Sequence, residues 1–363
     1  MNIAFFVGEM NLRGVANSTY QYAIHNRLIL KNKSIIFYDK SNHRNNIQVI
    51  KKFKKKFVVI GVNNLEEIDS YKLKLGLDYL YIQKSGQNDT WQSINIKTIV
   101  HSVYPQKLKE VHGDKYAFIS EWISNEFSNN KIPYVPYIVK LEKNKDNLKR
   151  KLKIKKDQTV FGCHGGHSSF DLKFVQDTLI DIVKKRKNLT FLFLNIEKFF
   201  DHPRIVFLKG SSDENYKRKF LNSCDAMLHG RSLGESFGLS CAEFAHLKKP
   251  IISYKFNRHR SHLYHLTNKN YLEYSNRGNL FYILNSFDKN KRKKNKKSKY
   301  SNYNAKLVMK KFKESFLEKS KTKQILFFDY LVNQLAYFKM SYFYIRHKIY
   351  NHYYKFIASK LIY

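Results

Sequence analysis

Over residues 1–138, short runs rich in β-branched and aromatic residues alternate with helix-compatible stretches. Residues 2–7, 34–38, 57–62, 78–82, 97–101 and 116–119 read as strands. Regular alternation of this kind predicts an α/β domain built on a parallel, doubly wound sheet. Residues 15–30 predict a helix between the first two strands, entered through Arg13 and Gly14. A glycine at that entry lets backbone amides face an anion.

The segment KIPYVPY at 131–137 holds two of the chain's five prolines and precedes a charged stretch poor in apolar residues, 140–156. An interdomain linker at 139–156 follows. The strand–helix pattern then restarts at Thr159, with Leu172, Val175, Leu179, Ile180 and Val183 on helical spacing and a strand at 190–195. A strand at 204–208, a helix at 213–221, a strand at 225–228, a helix at 239–247 and a strand at 250–254 complete the series, joined by short connections. The expected architecture is two tandem Rossmann-like domains, 1–138 and 157–288, with 289–363 as a basic run and aromatic-rich helical tail.

Length changes this picture little, since 363 residues suit two domains. A hydrophobic fraction of 43%, with 15% aromatics, is enough to build two cores. The opening MNIAFFVGEMNLRG has only a short apolar run broken by Gly8 and Glu9, so no signal peptide is expected. The apolar-rich stretch 325–345 carries Asp329, Gln334 and Lys339, which argue against a spanning helix. Cys163, Cys224 and Cys241 are odd in number and lack CxxC spacing, which disfavours disulfides and structural zinc and suits a cytoplasmic setting.

Charge has more to say. The formal net charge is +38, and from 289 to 323 fifteen Lys or Arg face two Glu. Nucleic acid, an anionic membrane or an acidic glycan would each suit such a surface. An AT-rich coding bias also enriches Lys, Asn, Ile, Tyr and Phe, so the charge by itself selects no partner. The last forty residues interleave aromatics with Lys and Arg in a helix-compatible pattern, which suits either peripheral docking on the inner face of a membrane or packing back across the two domains with the aromatics as core.

The chemistry concentrates in 225–254, DAMLHGRSLGESFGLSCAEFAHLKKPIISY. Glu235 falls in a loop and Glu243 lies two helical turns further, roughly 12 Å away at the rise of an α-helix. Between them, the amides around Ser236, Phe237 and Gly238 lie at the positive end of the helix dipole, where a diphosphate is favoured. Two carboxylates flanking an anion site suit an extended ligand with hydroxyls at both ends.

The run GESFGLSCAEFAHLKKPII resembles the motif of two glutamates with seven residues between them of retaining GT-B glycosyltransferases, notably glycosyltransferase family four, where it reads roughly EGFGLPxLEAMAxGxPVV. The resemblance covers both glutamates, the Phe-Gly-Leu and the proline before an apolar strand. It implies a nucleotide-sugar donor, with Glu235 binding sugar hydroxyls and Glu243 the ribose. The plain alternative for Glu235 is a carboxylate that stabilises its helix dipole.

Other positions depart from that family. Arg13-Gly14 offers one glycine where two usually approach the diphosphate, and His101 stands where a catalytic His is often found, a capping or merely buried His being the equal alternative. The Arg and Lys that usually bind the pyrophosphate after the first strand of the second domain are replaced by GCHGGHSS at 162–169. Gly165 and Gly166 could offer amides instead, while Arg231 or Lys173 could supply the charge, Arg231 being preferred. Lys84 follows a first-domain strand and faces the same edge.

No DxD, Walker loop, G-x-G-x-x-G, GxSxG or HExxH occurs, and the fourteen His are dispersed. No metal and no cofactor are therefore expected. The expected function is transfer of a sugar from a nucleotide-diphosphate donor to a hydroxyl of a glycan or lipid-linked acceptor. A nucleotide-sugar epimerase or phosphorylase-like enzyme of the same fold is one alternative. A basic protein binding nucleic acid or another polyanion is a second, disfavoured because it gives the glutamate motif no purpose.

Overall fold

Strands β1 (Asn2–Val7), β2 (Lys33–Asp39), β3 (Val58–Val62), β4 (Tyr79–Lys84), β5 (Lys97–Ser102) and β6 (Lys115–Phe118) of the computed structural model lie where the alternation places them. All pair in parallel, in the order β3-β2-β1-β4-β5-β6. Parallel strands covered on both faces need apolar residues at successive positions, and β1, β2 and β4 each bury at least three in a row. The structure describes residues 1–266, 271–290, 298–318 and 324–360.

The same plan recurs in the second half. Strands β7 (Thr159–His164), β8 (Leu189–Leu194), β9 (Ile205–Leu208), β10 (Ala226–His229), β12 (Ile251–Tyr254) and β14 (Tyr271–Tyr274) form a parallel sheet of order β14-β12-β10-β7-β8-β9. Two-residue strands β11 (Gly234–Glu235) and β13 (His259–Arg260) pair separately. Both large sheets thus have the 3-2-1-4-5-6 order of a doubly wound fold, with its reversal between β1 and β4 and between β7 and β10. Edge strand β14 goes beyond the sequence expectation, since four residues with mixed burial carry no clear period.

Helix Lys173–Lys185 shows why these segments fold as they do. Phe174, Val175, Thr178, Leu179, Ile182 and Val183 are buried on one stripe, and Lys184 and Lys185 occupy its last turn, where the helix dipole favours cations. Each large apolar side chain buried there contributes about 1.5–3 kcal/mol before chain entropy is counted.

The chain divides into two compact units, Met1–Val139 with Asn302–Tyr337, and Lys140–Ser301 with Phe338–Tyr363. Residues 289–363, a single tail in sequence terms, are thereby shared between the units. In the first, the Val139 amide donates to the Tyr303 carbonyl at 2.9 Å, and Phe312 and Phe316 pack against Tyr81. Helix Phe327–Lys360 begins there, with Asp329 accepting from the Leu326 amide and Asn333 donating to the carbonyls of Gln106 and Phe127. Its later turns belong to the second unit, where Tyr350 packs edge-on to Phe174 and Tyr354 donates to Asp177 at 2.7 Å. No described helix is long and apolar enough to cross a membrane. Residues 291–297 and 319–323 of the basic run lie outside the described residues.

Candidate active site

In a doubly wound sheet, ligands approach the carboxyl ends of the strands where the order reverses. In the second unit that point lies beyond β7 and β10, so the turns starting at His164 and His229 belong to it. Glu235 follows β10 by a short loop. This loop is fixed at Ser232, whose amide and hydroxyl both donate to Asp171 at 2.7 Å, and at the Arg231 carbonyl, which accepts from Asn257 at 2.6 Å.

Glu235 is a partly exposed carboxylate surrounded by donors. Arg231 Nη1 lies 3.4 Å from each of its oxygens, and His229 Nε2 lies 3.3 Å from Oε1. Burial acts to raise the Glu235 carboxyl, but the Arg231 guanidinium and the His229 hydrogen bond more than offset this and hold it down to about 2. The group is therefore an acceptor at neutral pH and cannot serve as a general acid.

Behind it lies a polar network that no sequence motif announced. The second nitrogen of His229, Nδ1, is 3.4 Å from Ser253 Oγ, which lies 2.9 Å from His262 Nε2. The His229 and His262 rings are 4.6 Å apart. Burial, reinforced by His229, keeps His262 well below its ordinary value, so it is neutral. Ser253 sits on β12 and His262 in helix Ser261–His265, and only the register of β10 against β12 brings them to His229.

Helix Leu239–His246 starts at Gly238, whose φ of 86° favours glycine. A Cβ there would lie 3.0 Å from His262 Cβ and from Tyr300 Oη. The first turn has no side-chain cap and no acidic residue, so its amides remain at the positive end of the helix without an internal carboxylate. Ser236 is partly exposed, whereas Phe237 is buried and its carbonyl accepts from Tyr300 at 2.6 Å.

Glu243 faces the interior of the same helix. Its side chain is 2% exposed, with Lys217 Nζ 2.8 Å from Oε1 and His164 Nε2 2.9 Å from Oε2, the second a close approach outside aligned hydrogen-bond geometry. Burial favours the protonated acid, yet Lys217 and His164 bring the carboxyl below its ordinary value. Lys217 is shifted upward, as Glu243 and Glu214 outweigh its desolvation. Lys217 lies on helix Glu214–Ser223, and nothing in its sequence surroundings marks it as the partner of a residue twenty-six positions away.

Several expected contributors are already engaged. The Gly165 amide donates to the Leu194 carbonyl at the end of β8 and the Gly166 amide to Ser169 Oγ of its own loop, so both expected phosphate-facing amides are already bonded. Lys173 opens helix Lys173–Lys185 and pairs with Asp177 one turn on. Arg231 alone of the two proposed cations reaches the glutamate motif.

In the first unit, Arg13 and Gly14 are exposed at the entry to helix Gly14–Leu28 after β1, and a Cβ on Gly14 would meet nothing within 4 Å. Lys84 ends the adjacent β4 but pairs with Asp89 at 2.7 Å. His101, which stands where the resembled family often has a catalytic His, takes the buried alternative: it is fully buried, 2.6 Å from the Tyr81 hydroxyl and packed on Phe316. Its position on β5, between β4 and edge strand β6, turns the ring into the core, where burial lowers it to about 3 and keeps it neutral. Among the described residues, no group of three or more His, Cys, Asp or Glu is placed to hold a metal ion.

Two Rossmann-like units with this strand order, and a glutamate-bearing loop at the switch point of the second, define an α/β fold of the GT-B type. Among solved structures the chain is similar to a glycosyltransferase from Rickettsia africae, at 15% identity over 88% of this chain and 99% of that one, with a TM-score of 0.59. It is similar to Anabaena HepE in complex with UDP-glucose, at 12% identity over 94% and 99%, TM-score 0.59. A UDP-N-acetylglucosamine 2-epimerase is similar at 9% identity over 86% and 95%, TM-score 0.52. No family model and no curated protein matches the sequence.

Proposed function

We propose that this protein is a glycosyltransferase that moves a sugar from a nucleoside-diphosphate donor to an acceptor hydroxyl. The observation that carries the reading is Glu235, ionised and partly exposed beside Arg231, one turn of chain before an uncapped helix N-terminus. The carboxylate would accept from sugar hydroxyls. Arg231 and the amides of Ser236 and Gly238 would meet the diphosphate and stabilise charge developing on it as the glycosidic bond breaks. HepE, of similar fold, binds UDP-glucose, which supports a uridine donor. Retention at the anomeric carbon follows the likeness of the motif, and a glycan or lipid-linked hydroxyl is the proposed acceptor.

Glu243 would take the ribose only by exchanging part of its contact with Lys217 or His164 for a hydroxyl. No metal is required in this scheme, because Arg231 and the amides supply the positive field.

A donor panel with product analysis, run with and without acceptor, tests the proposal. Glu235→Gln should lower kcat/KM by about tenfold to a hundredfold, as expected for loss of hydrogen bonds to a charged group, with turnover persisting in excess chelator. Isomerised donor formed without acceptor would instead assign the chain to epimerases, and wild-type rates in Glu235→Gln would remove Glu235 from the site.

A further inference from the structure

Helix Phe327–Lys360 presents two different faces over its portion in the second unit. One face is docked: Met340 and Tyr354 are buried, His347 packs on Tyr254, and Tyr350 accepts from the Arg277 amide at 2.9 Å. At about 100° per residue these four positions lie within one third of the helix circumference. The opposite side carries Phe338, Tyr342, Ile345, Ile349, Tyr353 and Phe356, each at least half exposed. Their spacing places all six within about 80° of one another.

The borders of this stripe are cationic. Lys339 and Arg346 follow one edge, Lys348 and Lys355 the other, and all four are exposed. From 338 to 363 the sequence contains no Asp or Glu. A straight apolar stripe between two rows of cations, with no carboxylate, is the pattern of a helix lying in a membrane interface. Its aromatic rings suit the headgroup level, and long Lys and Arg stems reach outward from there.

We infer that the exposed face of helix Phe327–Lys360 between Phe338 and Phe356 is a docking surface for an anionic lipid bilayer. The helix lies on the bilayer without crossing it, consistent with its charges and its hydropathy. Charge selects this occupant over a second copy of the chain. A partner copy would bring the same four cations and no acid to the contact, in a protein whose net charge is already +38. An anionic surface instead gains attraction from each cation. Vesicle binding is read directly, without any turnover.

Co-sedimentation of the full chain with vesicles of phosphatidylcholine alone, and of equal phosphatidylcholine and phosphatidylglycerol, tests it. Wild type should pellet with the mixed vesicles only, and less as salt rises. Ile345→Glu combined with Ile349→Glu should weaken that binding by about tenfold or more, and Lys348→Gln with Lys355→Gln by about tenfold. Both pairs are exposed, and thermal melts coincident with wild type verify that folding is intact. Should the glutamate pair shift its melt, the Lys pair carries the test. Equal pelleting on neutral vesicles, or binding unchanged in a variant with a wild-type melt, would overturn the inference. So would a dimer seen by ultracentrifugation without lipid and dissolved by Ile345→Glu with Ile349→Glu, which would assign the face to self-association.

Discussion

At the scale of single residues, the second unit contains two glutamates of similar sequence setting and opposite environment. Glu235 retains contact with solvent and leans on a partly exposed guanidinium, whereas Glu243 is sealed between Lys217 and His164. Removing one member of a buried ion pair leaves the other charged and desolvated, at a cost of about 3–5 kcal/mol, whereas replacing both with apolar residues costs much less. Lys217→Met should therefore lower the Tm sharply, and adding Glu243→Leu should restore part of it. A double variant less stable than either single would show that the pair is not the stabilising unit described here. Folded Glu235 lies below the usual carboxylate range, so its contribution to stability is complete above that range and is lost as pH falls towards about 2.

At the scale of elements, the loop between β10 and helix Leu239–His246 depends on close backbone approach. Gly234 has a φ of 71° and lies where a Cβ would come 2.1 Å from the His259 carbonyl, across the short β11–β13 pair. Gly234→Ala must separate those strands and rotate Glu235, which follows it directly. The expected result is a loss of stability of about 1–3 kcal/mol in thermal melts, with donor affinity falling further than stability alone accounts for. Wild-type donor affinity in that variant would mean that β11 does not set the glutamate's position. The elements themselves were largely legible: strand runs of apolar residues and helices such as Lys173–Lys185 declare themselves by period. Edge strand β14 and the two-residue strands do not, because so few residues carry no period.

At the scale of the molecule, the C-terminal segment serves both units in turn. Between Asn302 and Tyr337 it covers aromatic residues of the first sheet, and from Phe338 it packs on Phe174 and Tyr254 of the second. Tyr350→Ala would remove ring contacts to Phe174 and Tyr354 and the hydrogen bond capping Arg277. A large aromatic truncated in a packed site costs about 3–5 kcal/mol, with less expected here because the ring is only half-buried. The second unit should unfold at a lower temperature, as followed by hydrogen exchange in β7, β10 and β12. Unchanged protection there would show that the tail is an appendage.

The sequence by itself determined the order and kind of most elements, the duplication of the doubly wound pattern and the loop that holds Glu235, because these depend on local period, turn chemistry and a contiguous motif. Tertiary structure alone decided which polar groups meet across separate elements. His229, Ser253 and His262 reach one another through the parallel register of β10 and β12, and Lys217 finds Glu243 from a separate helix. Folding likewise withdrew residues that looked available, burying His101 in a core and bonding Lys84, Lys173, Gly165 and Gly166 to near neighbours. The Lys84–Asp89 and Lys173–Asp177 pairs are local, but the burial of His101 and the partners of Glu243 come from elements distant in sequence, which no local pattern encodes.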